Sequence, residues 1–126
     1  MAFNQEEERH QMRDTRRQLF GLAIQYMSRT RDYEPVLREG RRVGGFYGQQ
    51  CARHDISLVD AVRALFLFRK TLLTAATPDQ ASPGQYDAED VRLHWQLQHF
   101  LDKITNPCLA SYEAASRHLL QVGATL

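Results

Sequence analysis

Cys51 and His54 stand three residues apart, a spacing that puts two metal-ligating side chains on one face of a helix. A zinc site needs at least one further ligand, and His94, His99 and His118 lack the spacing to supply it. Cys51 therefore reads as a small core residue, and Cys108, on an apolar seam, reads the same way. Neither a metal nor a cofactor is expected. Arg69 is the second candidate. It falls between Leu65 and Leu72 on the inward stripe of a helix, where a guanidinium needs either a partner or the rim of the core. It reads as an anion site or signalling pair, or as a structural pair with Glu39, Asp102 or Glu113. Tyr47, Phe66 and Tyr112 form the third set, a ring and two phenols suited to roof a small-molecule pocket. No nucleophile stands with a base and no paired carboxylates occur in a catalytic context, so an enzyme is not expected.

The glycines are the strongest local signal. Four of the seven fall within nine residues, Gly40, Gly44, Gly45 and Gly48. A phosphate loop fails on context, because Gly-Arg-Arg-Val-Gly-Gly matches neither nucleotide fingerprint and follows no strand. On a helix, Gly40, Gly44 and Gly48 make one strip without side chains. Glycine costs roughly 1 kcal/mol per helical position against alanine, so the strip carries about 3–4 kcal/mol of unfavourable propensity. Close approach of another backbone offsets that. The partner is a helix of the same chain or of a second subunit, and a glycine-lined ligand pocket is the alternative.

The elements that position these residues follow from apolar spacing. Residues 1–31 form a first helix, with Asn4 as its cap, Met12, Leu19, Leu22, Ala23, Tyr26 and Met27 on one side, and polar early turns that fray or project. Residues 33–54 form the glycine helix, capped by Asp32, with Leu37, Tyr47 and Cys51 beside the glycines. Ser57-Leu58-Val59-Asp60 matches a capping box and starts a third helix over 57–76, with Leu58, Ala61, Val62, Leu65, Leu72, Leu73 and Ala76 inward. The short link before it implies antiparallel neighbours. Pro78, Pro83 and Gly84 make 77–86 a loop. The last helix spans 87–123, from a cap at Asp87 to a stop at Gly123, along a seam of Val91, Leu97, Leu101, Ile104, Cys108, Tyr112, Ala115, Leu119 and Val122. Pro107 removes a backbone donor inside it and predicts a kink or a break. Trp95, Phe100, Leu67 and Phe68 lie off the main stripes and suggest a dimer face or docking surface. The predicted class is all-α, a single-domain bundle of four or five helices.

Composition narrows the function further. The 126 residues suit one domain, and 43% apolar with 25% charged residues suits a globular protein. Sixteen Lys+Arg against 15 Asp+Glu give a net charge of +1, which argues against a polyanion as the main partner. Two cysteines are too few for a disulfide framework. The N-terminus lacks a signal-peptide pattern, and Ala64–Phe68, the longest apolar run, is far below a membrane span of ~20 residues. A cytoplasmic protein is the expectation.

Two stretches resemble a known family. Leu37-Arg-Glu-Gly-Arg-Arg-Val-Gly-Gly-Phe-Tyr-Gly, then His54-Asp-Ile-Ser-Leu-Val-Asp-Ala-Val-Arg-Ala-Leu-Phe-Leu-Phe-Arg69, look like the helical N-terminal regulatory domain of RsbR-type co-antagonists and of PucR-like bacterial regulators. The shared pattern is a glycine-containing helix, a short turn, and a helix ending in aromatic-x-x-Arg. Asp55 stands where a glycine is often found, and Ser111-Tyr112-Glu113 resembles the end of that domain. The similarity covers about 32–76 well and the last helix loosely. It implies a non-enzymatic bacterial signalling domain that acts by protein–protein association, as a homodimer or against a partner or fused output domain. A small-molecule sensor is the alternative, and a helix-turn-helix DNA-binding module a further one.

Overall fold

The computed structural model describes residues 2–28, 32–76 and 88–125. Four helices occupy them: α1 (Ala2–Ser28), α2 (Glu34–Arg53), α3 (Leu58–Ala76) and α4 (Ala88–Thr125). No strand occurs among the described residues, so the class is all-α. The expected loop at 77–86 and the Asp87 cap lie outside the described residues.

Three helix ends differ from expectation. α1 already begins at Ala2, two residues ahead of the expected cap position at Asn4. The early turns do not project freely, because the Glu8 carboxylate meets Nδ1 of His54 at 3.2 Å and ties the start of α1 to the end of α2. At α2 the N-cap is Tyr33, with no side-chain cap. Asp32 stands one residue too early and sits at φ 62°, in the left-handed region. Gly123 does not stop α4, which continues to Thr125.

Asp55 closes α2 at φ 58°. Its N–H donates to the Ala52 carbonyl at 3.2 Å and that of Ile56 to the Cys51 carbonyl at 2.9 Å, the Schellman pattern of a left-handed helix stop. Ser57 Oγ then accepts from the Asp60 N–H at 3.1 Å, which starts α3 as the capping box requires. The Asp60 carboxylate turns to Arg63, at 3.5 Å.

Buried side chains place the core between α1, α2 and the middle of α4. Met12, Leu19, Ala23, Tyr26 and Met27 line α1, as their spacing predicts. α2 buries Val36, Leu37, Val43, Tyr47 and Cys51 beside its glycines. In α4 only Leu97, Phe100, Leu101, Ile104 and Cys108 are fully inside. The outer seam positions Val91, Leu119 and Val122 stay exposed. α3 buries Ala61, Leu65 and Leu72, whereas Leu58, expected inward, is exposed.

α4 is one helix through Pro107, and the five-helix alternative is not realised among the described residues. The proline leaves the Lys103 carbonyl without its helical donor. Ile104 before it and Cys108 after it remain buried on the same face, so packing on α2 carries the helix across the lost bond.

Candidate functional site

The glycine strip is used inside the chain. A Cβ at Gly40 would lie 2.9 Å from Phe100 Cε2, and one at Gly44 would lie 3.0 Å from the Ile104 carbonyl oxygen. One at Gly48 would overlap the Cys108 carbonyl oxygen and stand 2.8 Å from its carbon. Gly45 faces Ser111 Oγ, at 3.0 Å from such a Cβ. Three glycines four residues apart thus receive three α4 residues four residues apart, in the same chain direction. α2 and α4 run parallel, and the row of one seats in the groove of the other. The partner left open by the sequence is α4, not a second subunit. Phe100, read as lying off the seam, is fully buried against Gly40. Its spacing of four from Ile104 was the available sign.

Parallel neighbours next to each other are unusual in an up-and-down arrangement, where they normally sit on the diagonal. Bare glycine faces shorten that diagonal until the two backbones meet. α1 and α3 flank the pair, and the Phe20 and Phe68 rings join them edge-on at 5.9 Å. At one end Tyr26 packs on Tyr33 at 4.8 Å and on Phe100 at 5.8 Å, which closes the core there.

Tyr47, Phe66 and Tyr112 do not meet over one pocket. Tyr47 is buried within hydrogen-bonding reach of Cys51. Burial, then the neighbouring Cys51 and Cys108 thiols, push its hydroxyl well above the ordinary phenol range. Tyr112 donates to the Ile56 carbonyl at 2.6 Å, so its hydroxyl pins the α2–α3 turn to α4. Phe66 is exposed on α3. It borders a cleft of about 370 Å³ between α3 and α4, with Arg69 and Asp102. The structural partners expected for Arg69 are engaged elsewhere: Glu39 with Arg42, Glu113 with Arg117 at 2.8 Å, and Asp102 with Gln98 at 2.9 Å.

Cys51 and Cys108 are free and buried. Among the described residues no group of three His, Cys, Asp or Glu side chains is placed to hold a metal. His54, three residues from Cys51, faces Glu8 at 3.2 Å. Burial, reinforced by Cys51, pushes the Cys108 thiol up to about 12, and burial raises Cys51 as well. Both are therefore poor nucleophiles. A charged disulfide reagent at pH 8 is expected to label them at least about 100-fold more slowly in the folded than in the urea-unfolded chain. Equal rates in the two states would mean that the thiols are accessible. The same shift sets an alkaline limit. An unfolded thiol ionises near pH 8.5, as free cysteine does, whereas folded Cys108 holds its proton to about 12. Across that window the unfolded chain binds fewer protons, so stability falls as pH rises, by up to about 1.4 kcal/mol per pH unit.

No helix among the described residues is long and apolar enough to cross a membrane. No family model matches the chain, and no curated protein or solved structure shows significant similarity to it.

Proposed function

We propose that this chain is a non-enzymatic regulatory domain of a bacterial signalling protein, cytoplasmic, and that it works by protein–protein association through the outer face of α3. The observation that carries this reading is the mismatch between what α3 offers and what the fold uses. It buries Ala61, Leu65 and Leu72, yet leaves Leu58, Val59, Phe66 and Leu67 between 44% and 67% exposed. Exposed Arg63 and Lys70 stand among them, so the surface offered is apolar with a basic component, and uncovered apolar side chains of this size are what an interaction surface would use. The net charge of +1, with acids interleaved among the arginines, disfavours the DNA-binding alternative.

The resemblance of residues 32–76 to regulatory domains supports the reading, because that stretch holds α2, the pinned turn and α3. The simplest partner is a second copy, pairing α3 with α3 about a two-fold axis. Pro107 gives α4 a weak point in its backbone, and a bend there is the proposed means by which a signal shifts the packing of the bundle.

Light scattering on the eluting protein tests the association. The wild type is expected to run as a dimer, and Phe66→Glu with Leu67→Glu as a monomer with a dissociation constant raised at least about tenfold. Both positions are exposed, so thermal stability of the monomeric unit should hold. A wild-type chain that stays monomeric at high concentration sinks the proposal.

A further inference from the structure

The cleft between α3 and α4 joins the edge of the core to two charges that the fold leaves unpaired with each other. Its volume, about 370 Å³, lies at the lower end of the range for small-molecule sites. Its walls are mixed: Val62, Leu65 and Phe66 on α3 and Leu101 on α4 supply the apolar part, and Gln98, Thr105 and Asn106 on α4 a polar edge. One cation and one anion, Arg69 and Asp102, stand on opposite walls.

The two charges do not neutralise each other. Among the described residues Arg69 makes no ion pair within 4.0 Å, and its Nε is buried without a hydrogen-bond partner. A desolvated guanidinium N–H that lacks an acceptor is costly, and a carboxylate satisfies it best, through two parallel bonds. Across the cleft, Gln98 donates to Oδ1 of Asp102 at 2.9 Å, which orients the carboxylate and leaves Oδ2 open to a cation. Thr105 is not a competing donor, because its hydroxyl is bound to the Leu101 carbonyl at 2.6 Å.

We propose that this cleft binds a small zwitterion of the α-amino-acid class with a large apolar side chain. Arg69 takes the carboxylate, Asp102 takes the ammonium, and the apolar part of the walls holds the side chain. A simple anion fits less well, because Asp102 would repel it, and a simple cation meets Arg69. A zwitterion satisfies both poles, and its carboxylate gives the buried Nε of Arg69 the acceptor it lacks. Phe66 borders both this cleft and the proposed association face, whereas Arg69 and Asp102 belong to the cleft and not to that face, so variants at those two positions report on the ligand and not on the association.

Calorimetric titration of the full chain with L-phenylalanine and L-leucine tests the assignment. Saturable binding tighter than about 1 mM is expected. 3-Phenylpropionate, which lacks the ammonium, and phenethylamine, which lacks the carboxylate, should each bind at least about tenfold more weakly, as should glycine. Arg69→Gln and Asp102→Asn should each lower affinity for L-phenylalanine by a similar factor. Asp102 is exposed, so D102N keeps the test valid even where R69Q perturbs folding. Absence of saturable binding by both amino acids overturns the proposal. So does equal binding of 3-phenylpropionate, or an affinity that neither variant changes. The oligomeric state of the same variants separates this outcome from failure of the association.

Discussion

Replacing Gly48 with alanine is expected to destabilise the chain by about 3 kcal/mol or more, enough to unfold a marginal domain. The sign is not obvious from the helix alone. Alanine is the better helix former by roughly 1 kcal/mol, so propensity favours the substitution. Packing decides against it, because the new methyl would overlap the Cys108 carbonyl, and a backbone atom cannot swing aside as a side chain can. α4 would have to move away as a unit, giving up the contacts of Ile104 and Phe100 with the same strip. Gly21→Ala is the control. Nothing lies within 4 Å of a Cβ at Gly21, so the propensity gain of up to about 1 kcal/mol should appear as increased stability. Urea denaturation of the two variants against the wild type measures both. A neutral Gly48→Ala would mean that α2 and α4 are not in backbone contact.

Phe100→Ala is expected to cost about 3–5 kcal/mol, the usual loss for a phenylalanine with no exposed surface. Its neighbour makes the prediction more specific. A Cβ at Gly40 meets the Phe100 ring at 2.9 and 3.2 Å and the Ile104 Cγ2 at 3.3 Å. Gly40→Ala alone should therefore destabilise, whereas in the Phe100→Ala background the ring is gone and the added methyl fills part of the cavity. The double-mutant cycle should show a favourable coupling of about 1–2 kcal/mol between the two changes. Additive effects would mean that the two positions do not touch. Gly48→Ala admits no such rescue, since its obstacle is main chain.

The bundle was largely legible in the apolar spacing because each helix is amphipathic, and the bare strip was legible because only glycine leaves that mark. What escaped was partner choice. Periodicity shows which face of a helix is inward but not which helix fills it, so α4 and a second subunit were equal candidates for the strip. Phe100 was missed for a related reason. The seam already held Ile104 and Cys108, two of the three residues that meet the glycines, but it passed from Leu97 to Leu101 and so stepped over Phe100, which extends that row by one turn. The ends of the α4 seam, Val91, Leu119 and Val122, look as apolar as its middle, yet they reach beyond the helices that cover Ile104. In the candidate cleft, Arg69 was visible as an inward cation, but Asp102 became its counterpart only once α3 and α4 lay side by side. Asp55 shows the limit of residue preference. Its left-handed φ is a glycine's role, taken by an aspartate that tolerates it.

The parallel pairing of α2 and α4 has a further consequence, for alignment. Three equivalent rungs spaced by four residues make a rack, on which α4 can in principle seat one turn, about 5.4 Å, out of place. Two end-stops deny it. A slip one way drives the Phe100 ring against Val36, which is already buried, and a slip the other way carries the Gln96 amide into the apolar notch at Gly40. The repeat supplies the affinity of one helix for the other, and the two residues that break the repeat supply its address.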